Sequence, residues 1–235
     1  MAGVRNVVLV HGAWADGSCW SKIIPILKAN GLHAVAPQNP LSTVADDVAS
    51  TNRLINAQEG PVLLVGHSYG GVVITEAGNN PKVAGLVYVA AFAPDEGESL
   101  GSLAAGYPTA PVLGDLQPLD GGYVVISEKG IRENFAQDLA PEEQDLILAV
   151  QGATSTAVLG TPVGKPAWRS KPTWFVVAEH DRAISPEQEA ATAKRMGAKT
   201  LTLSSSHLAM LSQPEKVAQF IVEAARSVEV GAAAA

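Results

Sequence analysis

The chain has 235 residues, 47% hydrophobic and 17% charged, enough apolar material for one sizeable core and the opposite of a disordered composition. At this length one α/β domain is expected, because two full domains would be cramped. The net charge of −7, from 23 acidic against 16 basic residues, excludes a partner held by clustered Lys and Arg on phosphates, so no nucleic-acid partner is expected.

The first residues, Met1 to Asn6, pass into a strand-like run with no long apolar leader. No apolar stretch reaches ~18 residues, so no membrane span or membrane partner is expected and a cytoplasmic location is the expectation. The first strand is read at residues 7–10, followed by His11-Gly12-Ala13-Trp14. Cys19, the single cysteine, can form no internal disulfide and reads as small buried filler. A helix over 21–30 stops at Gly31, a strand follows at 33–36, and a helix over 44–57 stops at Gly60. Then come a strand at 62–65, a helix over 69–79 and a strand at 83–89. After a break, strands at 173–177 and 198–203 alternate with helices at 187–196 and 215–227. Strands this continuously apolar are buried on both faces, which predicts an α/β fold with a mostly parallel sheet of about six strands flanked by helices.

Between residues 94 and 170 glycine, proline and mixed helical pieces replace the alternation, with a helix start at Pro141. The expected organisation is a core of 1–93 and 171–230, a small cap insertion of 94–170 above the sheet, and a flexible tail at 231–235. The cap residues Leu100, Leu103, Tyr107, Val112, Leu113, Leu116, Leu146 and Ile147 are candidates to line an apolar pocket, or to pack the cap onto the sheet.

Chemistry concentrates where the strand at 62–65 meets Gly66-His67-Ser68-Tyr69-Gly70-Gly71 and a helix. A G-x-S-x-G between strand and helix is a nucleophile elbow, with Ser68 projecting from a strained turn and glycines where strand and helix crowd. The Tyr69 N–H, at the helix start, faces an anion beside Ser68. Ala13 offers a second oxyanion donor, and Gly12 lets the chain pass close to substrate. Trp14 and Trp20 read as packing groups near the pocket mouth, with Trp14 a candidate substrate contact. A serine hydroxyl needs a base. Of five histidines, His207 follows the last strand at the carboxyl edge, where α/β sites gather, whereas His11 and His67 are placed to satisfy backbone groups. The acid that orients the imidazole is read as Asp181, after the penultimate strand and before His207; Asp95 and Glu179 are the rival positions. No His, Cys and carboxylate spacing suits a metal, and the implied two-step acyl transfer requires no cofactor.

On these residues the sequence resembles the α/β-hydrolase superfamily over essentially its whole length, and more narrowly the branch of plant methylesterases, hydroxynitrile lyases and bacterial esterase relatives. The resemblance rests on His11-Gly12-Ala13 with Trp20, the elbow, Asp181, and His207-Leu208-Ala209-Met210-Leu211 followed by Ser212-Gln213-Pro214. It implies a serine esterase with Ser68, Asp181 and His207 as triad and Ala13 with Tyr69 as oxyanion hole. The lyases of this branch carry a threonine and a lysine where this chain has Gly12 and Leu208, so cyanohydrin cleavage is disfavoured. Lactone or carbon–carbon hydrolysis on the same triad, or ligand binding with little turnover, are the alternatives. A homodimer is left open.

Overall fold

The computed structural model describes residues 3–228. In chain order, β1 (Asn6–Val10), α1 (Ile23–Ala29), β2 (His33–Val35), α2 (Val44–Ala57), β3 (Val62–Ser68), α3 (Gly70–Ala77) and β4 (Val83–Ala91) lead to the insertion. The insertion holds α4 (Leu100–Ala104), β5 (Leu116–Leu119), β6 (Tyr123–Ile126), α5 (Pro141–Val150) and β7 (Thr154–Ser155). The chain returns through β8 (Thr173–Ala178), α6 (Pro186–Met196), β9 (Lys199–Leu203) and α7 (Pro214–Ser227).

Six strands form one parallel sheet in the order β2-β1-β3-β4-β8-β9. The order reverses direction at β1, so successive crossovers cover both faces, and every residue of β3 and β8 is buried. The α7 helix closes one face with Val217, Phe220, Ile221 and Ala224 at helical spacing, all buried. Helix stops fall where expected, with Gly31 at φ 78° and Gly60 at φ 87°.

Two strands run further than the apolar runs announce. The ladder of β3 with β4 continues through Gly66, His67 and Ser68, and it slips one register step between His67 and Ser68. Ala90 at φ 43° is the bulged residue that absorbs the slip. This brings the strand ends, and Ser68 with them, to the top of the sheet.

The insertion is not made of helical pieces alone, as the sequence reading had it. An antiparallel sheet, β5-β6-β7, stands within it, turned at Asp120-Gly121-Gly122 where both glycines have positive φ, 74° and 80°. The expected tail at 231–235 lies outside the described residues.

Candidate active site

Ser68 ends β3 at φ 54°, in the left-handed region, before α3 begins at Gly70. Such strain persists only where packing over-determines it. Here a Cβ on Gly70 would lie 2.6 Å from Val10 O, and one on Gly12 would lie 2.7 Å from the Ser68 Cβ. The elbow and the loop after β1 therefore interlock through missing side chains, and Gly12 makes room for Ser68 rather than for a bound molecule. Behind the elbow, the Tyr69 hydroxyl donates to Asp47 Oδ2 (2.7 Å), whose Oδ1 accepts the Leu41 N–H (2.9 Å). Burial and the neighbouring Asp47 push the Tyr69 phenol far up, so it stays a neutral donor pinning the elbow to α2.

His207 is fully buried on the loop after β9, and its Nδ1 lies 2.5 Å from Asp181 Oδ2. A carboxylate can only accept, so Nδ1 carries the proton and the Nε2 lone pair is free. That Nε2 has no hydrogen-bond partner among the described residues, Ser68 Oγ included. His67 Nδ1 is unpaired among them as well; what distinguishes His207 is the carboxylate on its Nδ1, which leaves Nε2 as a proton acceptor. The Asp181 carboxyl is fixed from its other oxygen, which accepts Ala183 N–H (2.6 Å) and Ile184 N–H (2.9 Å). The histidine loop is tied to the elbow by His67, whose Nε2–H donates to His207 O at 3.0 Å. Burial pushes the His67 imidazole well down, with any charge on His207 acting the same way. His11 is likewise structural. Its Nε2 accepts the Asn39 N–H (2.9 Å), so Nδ1–H donates to Gly12 O (2.9 Å).

Asp95 instead binds the Arg169 guanidinium, with Nε at 2.8 Å, and that pairing holds its carboxyl below the usual range. It is an ion-paired side chain rather than a freely solvated one. Glu179 is exposed.

Above Ser68 lies a cavity of about 310 Å³. Ala13, Trp14, Ser68 and Tyr69 line its floor, and no charged side chain lines it. The main-chain N–H groups of Ala13 and Tyr69 donate to nothing among the described residues, whereas the Trp14 N–H is taken by Thr154 Oγ1 (3.1 Å). Of the cap residues proposed from sequence, Leu100, Val112 and Leu113 line this cavity. Leu146 and Ile147 line a smaller one of about 70 Å³ beyond Trp14, with Cys19 and Leu208. Leu103 and Leu116 pack on the core instead. Gly12 lines neither, and Trp20 is fully buried against His67 rather than at the mouth.

Three residues escaped the sequence reading. Phe135, on a short π-helical turn at Ile131–Phe135, packs on both His207 (5.1 Å between ring centres) and Trp14 (6.4 Å). Asp47 and Glu189 are fully buried carboxyls on α2 and α6. Their signal was a charged residue at a core-facing helical position. No metal-holding cluster of His, Cys, Asp or Glu, and no helix long and apolar enough to cross a membrane, occurs among the described residues.

A sequence model of the alpha/beta hydrolase family matches residues 7–220. A carbendazim hydrolyzing esterase of Nocardioides sp. (strain SG-4G) is 38% identical over 114 residues, which span 43% of this chain and 47% of that protein. A pyrethroid hydrolase of Sphingobium wenxiniae is 28% identical over 94% of this chain and 87% of its own length. Methylesterase 8 of Arabidopsis thaliana is 26% identical over 79% of this chain and 75% of its own.

Proposed function

The chain belongs to the alpha/beta hydrolase family, and from that premise we propose that it is a serine esterase that cleaves uncharged carboxylic esters through an acyl-enzyme on Ser68. The observation that carries this reading is the proton-bearing Nδ1 of His207 on Asp181, which leaves a free, buried Nε2 on a loop that His67 ties to the elbow of the strained Ser68. Relatives named as a carbendazim hydrolyzing esterase, a pyrethroid hydrolase and a methylesterase support the reaction class and leave the substrate open.

In this mechanism Nε2 takes the Ser68 proton as Oγ attacks the carbonyl carbon. The oxyanion is met by the Ala13 and Tyr69 N–H groups. The imidazolium protonates the leaving alkoxide; the neutral imidazole then takes a proton from the attacking water and returns it to Ser68 Oγ as the acid departs. No cofactor or metal enters any step, and the enzyme works in the cytoplasm as a monomer or homodimer. A panel of p-nitrophenyl esters of graded chain length tests the reading; turnover no greater than the Ser68→Ala background would leave ligand binding as the role.

The lining of Phe92, Leu100, Val112, Leu159 and Ile184 favours apolar groups of medium size. Ala104, on α4 at the cavity wall, offers the check. Ala104→Trp should cut kcat/KM for octanoate about ten-fold or more and leave acetate nearly unchanged. An equal loss on both esters would move the acyl site elsewhere.

Cyanohydrins are not substrates on this reading. Gly12 packs on Ser68, and Leu208 is buried beside the smaller cavity, so neither supplies a cation for a departing cyanide. Mandelonitrile incubated with the enzyme should release cyanide at the uncatalysed rate; catalysed release sensitive to Ser68→Ala would refute this.

A further inference from the structure

The first turns of α6 place Glu189 beneath the acid of the site. It is fully buried; Oε2 accepts the Ala178 N–H at 2.9 Å, and Oε1 has no N–H or O–H partner among the described residues. The same Ala178 residue accepts the Asp181 N–H on its carbonyl (3.3 Å), so Glu189 and Asp181 are held on one residue at the end of β8 and their carboxyls interact. Two carboxylates in contact in a dry interior cannot both be ionised, so the pair holds one proton. The donor count decides where it sits. Asp181 accepts from Ala183 N, Ile184 N and His207 Nδ1. Glu189 accepts from Ala178 N alone. Charge therefore rests on Asp181 and the proton on Glu189.

We infer that Glu189 is a positioning residue, a neutral acid whose O–H donates to the Asp181 carboxylate and helps hold it toward His207. Burial first and the charge of Asp181 second push the Glu189 carboxyl well up, in keeping with this arrangement. No cation among the described residues offsets that push. Lys194 and Arg195 on the same helix are exposed, Arg195 pairs with Glu98, and Arg182 donates to Glu133 O. Glu187, Glu179 and His180 are exposed as well. With the added donor, the Asp181 carboxylate is held by Glu189 as well as by the Ala183 and Ile184 N–H groups in the orientation that meets His207.

The assignment of role rests on the esterase reading; the assignment of the proton does not. Glutamine reproduces a neutral acid group for group, with its carbonyl on the Ala178 N–H and its amide N–H on Asp181. Glu189→Gln should therefore keep kcat and the midpoint of the acidic limb of kcat/KM. Glu189→Met, of similar volume, removes the donor and should lower kcat about ten-fold or more with KM little changed, and shift that midpoint. Stability supplies a readout free of turnover. A carboxyl raised on folding binds more protons in the native than in the unfolded chain above the unfolded value near pH 4.3, so wild-type stability falls there as pH rises. Glu189→Gln escapes that loss, so its folding equilibrium constant should gain on that of wild type by up to about ten-fold per pH unit as pH rises from about 5 to 7. A stability difference flat in pH, or a displaced acidic limb in Glu189→Gln, would show an ionised Glu189 and overturn the inference. So would a folded Glu189→Met with wild-type kcat and pH profile. If Glu189→Met does not fold, the glutamine variant decides alone. A chain that turned over no ester would sink the esterase reading while the stability comparison still located the proton.

Discussion

Ser68→Ala should lower kcat by about 10⁴–10⁶ and leave the fold intact. The size follows from what the hydroxyl alone contributes: without Oγ no acyl-enzyme forms, and only binding and the two main-chain donors remain to assist water. The fold should survive because alanine keeps the Cβ that packs beside Gly12 and meets the same strain at φ 54°. The interlocked glycines and the Tyr69–Asp47 bond that shape the elbow are untouched. The measurement is kcat on an activated ester together with the thermal unfolding midpoint. Intact-mass labelling by a fluorophosphonate should add one adduct to wild type and none to the variant. A folded variant with most of its esterase activity would remove Ser68 as nucleophile.

The strands and helices of the core could be read from the sequence because their burial repeats. Strands such as 62–65 are apolar on both faces, and α7 carries an apolar stripe, so element type follows from pattern. Ser68, Asp181 and His207 were legible as candidates because each stands just beyond such a run, in the chain order Ser, Asp, His. What escaped lacked a repeating signal. The strands of the cap are two to four residues long, too short for alternation to declare itself, although the Asp120-Gly121-Gly122 turn between two apolar runs marked a hairpin. Phe135 reaches His207 through a π-helical turn that no local pattern encodes. Asp47 and Glu189 look like solvated helix residues until the buried face is drawn. Asp47 shares that face with Val44, Ser50, Thr51 and Ile55, and Glu189 shares one with Gln188, Thr192 and Ala193. A carboxyl among core positions needs a partner, and that requirement was the available clue.

Asp181→Asn and Asp95→Asn should part company by about 10⁴ in kcat near neutral pH, the first crippled and the second nearly silent. Both aspartates follow strands at the carboxyl edge of the sheet, so chain order alone did not separate them. Their surroundings do. Asparagine at 181 can keep Oδ1 on the Ala183 and Ile184 N–H groups, which holds the turn, and so presents its amide N–H₂ to His207 Nδ1. The ring must then accept at Nδ1 and carry its proton on Nε2, the wrong tautomer to relieve Ser68 of its own. Because that fault lies in proton placement, thermal unfolding should change far less than rate. At 95 the substitution loosens an ion pair with Arg169, whose side chain is 56% exposed; pairs this exposed contribute little to stability, and Asp95 makes no hydrogen bond to His207 among the described residues. The comparison is kcat/KM for both variants at pH 7 with their unfolding midpoints. A silent, folded Asp181→Asn beside a crippled, folded Asp95→Asn would transfer the acid to the loop after β4, and the 2.5 Å contact at His207 Nδ1 would then be structural.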